Sequence, residues 1–476
     1  MNRAGLSLPA DAPVLALARR LAESGGRLLI VGGWVRDRLR GEDSKDFDLE
    51  VFGLSAEAVS ALVRPLGFTP PVGKHFPIWR HTGNALDLAL PRLEAVDSEN
   101  EAEVPGVSEE PGEEVFTAAF RAAARHRDLT INAMGWDPLA ERLIDPWEGE
   151  SDLAKGRLRA VSEDTFPADP LRLLRVARLT AQSGYAPDDA LRRLCRALDL
   201  SKVPVERIAG ELARILCEPV EPSRAFEWLA ECDRLDVFPL VDALRDCPQD
   251  PRWHPEGDVF VHTLMVIDEA RKLAAPLSHA DRLILMLAAL THDLGKPGTT
   301  EIEGDRVRAH GHEALSAKLT QAWLRELRFS EGVVSGTTAL VAYHLAPAQF
   351  ASQGAGARAY RRLARKLDRA GVTMLDLERL GRADSLGRTT PDARAGTFAS
   401  GDAFLEAAEA AHVREGIEAD CVTAQHLIGR GMIPGPKFGE ILRACRAIQD
   451  ETGDREPERI LDRALAPDPS APNGLD

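Results

Sequence analysis

Two short runs near the start of the chain hold residue types that could work on a phosphate. The first, Leu29-Ile30-Val31-Gly32-Gly33-Trp34-Val35-Arg36-Asp37, puts a glycine pair after an apolar strand and an arginine on the segment that follows. The second, Lys45-Asp46-Phe47-Asp48-Leu49-Glu50, sets two carboxylates two residues apart. Residues two apart on a strand point to one face, so Asp46 and Asp48 can hold one Mg²⁺ together. A Gly-Gly turn lets backbone N–H groups approach a phosphate closely at the positive end of a helix, which marks Gly32, Gly33 and Arg36 for triphosphate contact. Magnesium takes one or two carboxylates and completes its shell with water and substrate phosphates. Each run alone is common as a tight turn or a solvated loop. Together they are equipment for moving a nucleotidyl group.

Further along, Arg125-His126-Arg127-Asp128-Leu129-Thr130-Ile131-Asn132-Ala133-Met134 places cations and an amide at the start of an apolar segment. Arg127, Asp128 and Asn132 there suit triphosphate contacts; a helix cap at Asp128 is the plainer alternative. Asp87, in Leu86-Asp87-Leu88, falls on the same sheet as Asp46 and Asp48 by strand reading. It could assist the metal, activate an attacking hydroxyl, or be an ordinary edge-strand acid. In Asp169-Pro170-Leu171-Arg172-Leu173-Leu174-Arg175-Val176-Ala177-Arg178 the proline suits a first helical turn. Arg172, Arg175 and Arg178 are spaced by three and fall on one face, which in most helices is a solvated stripe. A second constellation gathers His262, His292-Asp293, His312, His344 and Asp384. Imidazoles and carboxylates together suit a divalent transition metal or a hydrated Mg²⁺.

The elements that must position these groups follow from apolar spacing. A helix at 13–23, a strand at 27–31, a helix at 34–39, a strand at 47–52, a helix at 56–66 and strands at 78–80 and 86–89 make a small mixed sheet. From residue 152 apolar residues recur at helical spacing almost to the end. The fold class is α+β, a small mixed-sheet head followed by all-helical segments. Domains are expected at 1–140, 141–250, 251–400 and 401–476, with a boundary in the Pro/Gly-rich stretch 251–258. The acidic segment 93–114 has the composition of a mobile loop.

At 476 residues the chain is too long for one core. Its formal charge of −16 argues mildly against nucleic acid, yet nine acids lie between Leu93 and Phe120 without one Lys or Arg. Cations cluster elsewhere, at 121–127, 172–178 and 358–369, so RNA is not excluded. Six cysteines without a Cys-x-x-Cys pair read as reduced core thiols of a cytoplasmic protein. The apolar run Leu283–Leu290 is far short of the ~20 residues a membrane span needs, and Met1–Ala10 lacks the apolar region of a secretory signal.

Taken in order, Gly-Gly-x-Val-Arg-Asp, Asp-x-Asp, Arg-Asp-x-Thr-Ile-Asn and Asp-Pro-Leu-Arg resemble the signature of the tRNA nucleotidyltransferases (CCA-adding enzymes) and their relatives, bacterial poly(A) polymerases. His126 and Leu129 depart from the family's second block. The resemblance implies transfer of CMP and AMP from CTP and ATP to the 3′ end of tRNA with Mg²⁺, Asp46 and Asp48 carrying the metal. It implies that Asp169 and Arg172 present hydrogen-bonding groups to the base edge, with Arg175 and Arg178 supporting the nucleotide. Ala168 stands where the family has Glu, and the 93–114 loop lacks the family's basic members. Both departures keep a CC-adding enzyme, an A-adding enzyme or a poly(A) polymerase as alternatives. The histidine constellation resembles the HD phosphohydrolases. It implies a nickel, manganese, magnesium or iron ion on His262, His292, Asp293 and Asp384, with His312 and His344 as further ligands or phosphate contacts. A metal-dependent phosphohydrolase acting on RNA ends or cyclic nucleotides is the second alternative. Val422 to Gly439, with its Pro-Gly-Pro-x-x-Gly turn, resembles the helix–turn–helix tail of the same enzymes.

Overall fold

A computed structural model describes residues 3–44, 46–72, 77–92, 113–304 and 306–466. Contacts divide the chain into two compact units, one of residues 1–203 with 231–234, the other of 204–230 with 235–476.

The first unit is built on a six-stranded sheet of order β3-β4-β2-β1-β5-β6. Its strands are β1 (Arg27–Val31), β2 (Phe47–Phe52), β3 (Ile78–Arg80), β4 (Leu86–Ala89), β5 (Gly135–Asp137) and β6 (Arg142–Ile144). Only the β2–β4 pair is parallel, so the sheet is mixed as expected. The first four strands fall within the expected bounds. β5 and β6 were not anticipated, since they are defined by their pairing with β1 and with each other. Helices α1 (Pro13–Ala22), α2 (Gly33–Arg40) and α3 (Ala56–Val63) intervene between or precede strands. α3 stops at Val63, short of the expected 66, where Pro65 turns the chain into a single 3₁₀ turn ending at the left-handed Gly67.

Helix α4 (Glu113–Ala124) packs Phe116 and Phe120 on Phe52, with Leu29, Val31 and Ile144 beneath, as the head's core. Of the acidic 93–114 segment, only Glu113 and Glu114 belong to the described residues, at the start of α4. The rest of that expectation lies outside them. α5 (Gly149–Ala154) and α6 (Arg172–Ser183) complete what the site needs.

Among the described residues the second unit is helical but for one unexpected hairpin, Thr300–Glu303 with Arg306–Ala309. Helix Val259–Leu273 is started by Asp258, whose carboxylate accepts from the Val261 N–H; Ser278 does the same for helix His279–Thr291. The whole Leu283–Leu290 run is buried, which makes that helix the apolar centre of its unit. Among the described residues no helix is long and apolar enough to cross a membrane. Near the end, helices Ala424–Gly429, Pro436–Thr452 and Pro457–Leu465 close over a small core of their own, Val422, Leu427, Phe438, Cys445, Ile460 and Leu461. All six cysteines are free.

Candidate active site and metal centre

The head site forms where β1 ends. Gly32 has φ +75°, a backbone state a side chain strains to adopt, and a Cβ there would meet the Arg127 Nη1 at 3.2 Å and the Asp48 Oδ2 at 3.4 Å. Only glycine lets the chain turn so tightly into α2 while leaving that space open. The register carries the carboxylates to the same place: Val31 pairs with Asp48 across β1–β2, and Asp48 with Asp87 across β2–β4. Asp46 precedes β2 by one residue and is exposed, as is Asp48. Asp48 is raised above the ordinary carboxyl value. Desolvation contributes most, Asp87, Asp46 and Glu50 add to it, and Arg127 pulls the other way. A cluster of acids whose mutual repulsion raises one of them is a donor set that suits a hard divalent cation.

Cations surround the acids. Arg127 donates to Glu50 Oε1 at 2.5 Å and to the Asn132 carbonyl at 3.2 Å. Arg36 donates to the Asn132 side-chain oxygen at 2.7 Å and to Asp37 at 2.8 Å. Asp128 is buried and does not cap a helix. One of its oxygens accepts from the Leu129 N–H and the Asn132 amide, the other from Arg175 at 2.8 Å. A polar chain thus runs from Arg175 on α6 through Asp128 and Asn132 to Arg36 beside the glycine turn. The structure therefore brings Gly32, Gly33, Arg36, Asp46, Asp48, Asp87, Arg127, Asp128, Asn132 and Arg175 into one connected region.

The other members of the arginine helix are placed differently. Arg172 is buried, with its guanidinium donating to the carbonyls of Thr165 at 2.7 Å, Phe166 at 3.1 Å and His126. Asp169, at the end of a 3₁₀ turn, accepts from the Leu171 N–H at 3.3 Å. Arg178 is buried and donates to Gln182, one turn on. These arginines are not a solvated stripe: two are buried and the third is held by a buried carboxylate.

The second constellation converges as a centre. His292 ends helix His279–Thr291, His344 follows helix Glu331–Tyr343, His312 opens helix His312–Glu326, His262 lies in Val259–Leu273 and Asp384 in Met374–Leu386. Asp293 sits among them. Its Oδ2 is 3.1 Å from His292 Nε2 and 3.9 Å from His262 Nε2, and its Oδ1 is 3.3 Å from His312 Nε2. His262 Nε2 is 3.2 Å from Asp384, and the Nε2 atoms of His312 and His344 are 3.4 Å apart. The Nδ1 atoms of His292, His312 and His344 each meet a backbone carbonyl three residues earlier, at 2.9, 2.8 and 2.7 Å. That bond puts the proton on Nδ1 and leaves the Nε2 lone pair facing Asp293. Asp293 Oδ1 and the Nε2 atoms of His262 and His292 are buried without a hydrogen bond. Orphaned donor atoms of this kind, nitrogen and oxygen together, fit a divalent metal.

Burial pushes His344 down to about 4, which keeps it neutral as a ligand must be. Asp293 and Asp384 lie well below the ordinary value. Burial acts upward on both, outweighed at Asp293 by His292 and Lys296 and at Asp384 by Arg388 and His262. Lys296 Nζ is 2.7 Å from Asp293, and Arg388 donates to Asp384 at 2.8 Å. A cavity of about 250 Å³ opens beside the centre, lined among others by Trp253, His254, Lys296, Arg308, His344 and Arg388.

Sequence reasoning missed Glu256. Its carboxylate lies 2.9 Å from both His262 Nδ1 and His254 Nδ1, and its other oxygen accepts from the Thr389 N–H at 3.2 Å. A carboxylate behind a ligating histidine fixes its tautomer. The available signal was His254-x-Glu256 immediately before His262, inside a stretch whose prolines and glycine read as a boundary.

The profile of the Poly A polymerase head domain matches residues 28–159, and that of the HD domain matches 259–374. The chain is 39% identical over 313 residues to the Multifunctional CCA protein of Cupriavidus metallidurans, covering 63% of this chain and 70% of that one. It is 38% identical over 299 residues to the protein of the same name from Methylococcus capsulatus, covering 61% and 66%. Among solved structures, a CCA-adding enzyme with CTP superposes with a TM-score of 0.60 at 19% identity, covering 96% of each chain. The Thermotoga maritima CCA-adding enzyme complexed with tRNA gives 0.56 at 19% identity, again over 96% of each. At that identity these two likenesses speak for the fold.

Proposed function

The chain belongs to the family of the multifunctional CCA proteins, the CCA-adding tRNA nucleotidyltransferases, and on that premise we propose how its residues divide the work. The enzyme adds CMP and AMP to the 3′ end of tRNA from CTP and ATP without a nucleic-acid template. The terminal 3′-hydroxyl attacks the α-phosphate, an oxygen–phosphorus bond forms, and pyrophosphate leaves. Asp46 and Asp48 would hold Mg²⁺, which would supply charge neutralisation on the triphosphate and acidity to the attacking hydroxyl. Asp87, paired with Asp48 in register, adds a third carboxylate. The N–H groups of the Gly32-Gly33 turn, Arg36 and Arg127 cradle the phosphates, and Asp128 with Asn132 holds Arg36 and Arg175 in place. Asp169 and Arg172 present an acceptor and a donor to the base edge one turn apart, a task for which Arg172 exchanges its backbone carbonyls for the base. In this reading the head spans 1–140, the base-selecting neck and body 141–250, the metal-dependent region 251–400 and the tail 401–476.

The observation that carries this reading is the meeting of Asp48, Asp87 and Arg127 at the Gly32 turn. Single-nucleotide incorporation tests it, on tRNA ending before the first C, tRNA ending in C-C, and an oligo-A primer. Addition of C, C and then A to the first substrate is expected. Arrest after the second C marks a CC-adding enzyme, A added only to tRNA ending in C-C an A-adding one, and repeated A on oligo-A a poly(A) polymerase.

A second activity is favoured by the histidine centre. His262, His292, Asp293, His312, His344 and Asp384 would hold a divalent ion, which supplies Lewis acidity toward a phosphate ester, while Lys296, Arg308 and Arg388 line the adjoining cavity with positive charge. Hydrolysis of 2′,3′-cyclic AMP with Ni²⁺, Mn²⁺ or Mg²⁺ tests it; no turnover with any of them, in a protein that adds nucleotides, refutes it.

A further inference from the structure

The third basic cluster, at 358–369, is used by neither site. Residues 357–369 carry six cations, Arg358, Arg361, Arg362, Arg365, Lys366 and Arg369, and one acid, Asp368, in a chain of net charge −16. The helix Ala357–Asp368 sorts them by face. Tyr360, Leu363, Ala364 and Leu367 are buried. Arg361 and Arg365 turn toward the helix Pro436–Thr452: Arg361 donates to the Asp450 carbonyl at 3.0 Å, and Arg365 donates to the Arg446 carbonyl at 3.2 Å and pairs with the Asp450 carboxylate. These two are anchors. Arg358, Arg362, Lys366 and Arg369 are exposed. Their spacing of four, four and three keeps them on one stripe that runs ~16 Å along the axis. Arg358 meets the exposed Glu451 at 2.8 Å, a pair that water and salt largely screen, and Lys366 lies over the Tyr343 ring at 5.1 Å. Arg362 and Arg369 make no ion pair among the described residues.

We propose that this stripe is a docking surface for the phosphodiester backbone of RNA. The chemistry separates the candidates. A helix that lies on a membrane must give its apolar face to the lipid, and here that face is already buried in the protein. An acidic protein partner would want an apolar centre within the contact, and the stripe offers cations alone. Double-stranded DNA places a phosphate every ~3.4 Å of axis on each strand, and duplex RNA, with its shorter rise, spaces them more closely, so the stripe faces about five or more on one strand. Duplex RNA is bound through backbone and shape, without base contacts, which is what four unshaped cations can supply. The inference rests on tRNA being the substrate, and it adds a contact on the second unit.

The test replaces all four with glutamine, as Arg358→Gln, Arg362→Gln, Lys366→Gln and Arg369→Gln, in the full chain. Binding of unmodified tRNA is followed against salt, and steady-state CTP addition is measured beside it. Each lost phosphate contact removes ~0.7–0.9 from the slope of log affinity on log salt, so the slope should flatten by about 3. KM for tRNA should rise at least about tenfold at low salt, with kcat and KM for CTP unchanged. A second variant, Arg362→Gln with Arg369→Gln, leaves every contact of the first anchors and ion pair untouched; it should show about half the change in slope and guards against misfolding of the first. Unchanged slope and KM in a wild type that extends tRNA overturn the docking surface alone. A wild type that never extends tRNA overturns the functional reading instead. Binding of phosphatidylserine vesicles that is lost in the variant, with tRNA binding unaltered, would assign the stripe to lipid and overturn the proposal.

Discussion

The two candidate centres use the same kinds of oxygen donor in opposite ways. In the head, Asp46 and Asp48 are exposed, with Asp87 and the Arg127–Glu50 pair beside Asp48, so the donor set is open. In the histidine centre the donors are buried, preset in tautomer and backed by Glu256. On the proposed reading, the first would suit a metal that travels with its substrate and the second a metal that stays. Openness permits turnover of a bulky reactant; burial favours retention of an ion.

The contrast breaks most visibly at Asp48. Asp48→Ala should reduce CTP addition by about a thousandfold or more, since a lost metal ligand removes several kcal/mol of charge stabilisation in the transition state, while metal retained at the histidine centre stays at the wild-type level. More than about a tenth of the activity remaining, a loss of only ~1.4 kcal/mol, would contradict the carboxylate assignment.

The resident metal is the next test. After dialysis without chelator, wild-type protein should hold a transition metal by elemental analysis, and Asp293→Ala should hold none while still adding CMP. Glu256→Gln should weaken metal affinity by about 10–100-fold, the range for a carboxylate behind a ligating histidine. Equal affinity in wild type and Glu256→Gln would make Glu256 a loop brace with no part in the centre.

Base selection gives a smaller effect. Arg172→Ala should lower the ratio of CTP to UTP incorporation by about tenfold, within the ~1–3 kcal/mol of one good base-edge contact. Should both fall together with the ratio fixed, the bonds from Arg172 to the carbonyls of 126, 165 and 166 are its whole purpose.

Smallest is a pH effect in the head. Asp128 is held well below the ordinary carboxyl value: burial acts upward, and Arg175, the Asn132 amide and the Leu129 N–H outweigh it. A depressed carboxyl contributes its full stability above the unfolded value of ~3.9 and loses it as the pH falls toward the folded one. Wild type and Asp128→Asn should therefore differ in urea midpoint at pH 7, and the difference should begin to shrink below about pH 4. A constant difference down to pH 3 would assign the effect to shape instead of charge.

What the sequence made legible divides along physical lines. Strands β1, β2 and β4 were readable because four or more residues alternate, or because a glycine pair or an Asp-x-Asp marks an end; β3, three residues long, was placed without such a signal. β5 and β6 were not, since Gly135–Asp137 and Arg142–Ile144 are defined by pairing with β1 and with each other, a long-range fact. The histidines could be gathered because their types imply a ligand set at any separation. Glu256 could not, because a carboxylate in a Pro/Gly stretch is usually solvated and only the fold turns it toward His262. Asp128 was visible as a residue but not as a hub, since its partner Arg175 lies 47 residues away.

The three Nδ1 bonds from His292, His312 and His344 each reach back only three residues. Such a tether needs only the local chain in its native shape. The orientation of these rings is thus inherited from the backbone and owes nothing to the ion. An emptied centre has no rings to re-aim, and loading becomes a matter of ion supply and access.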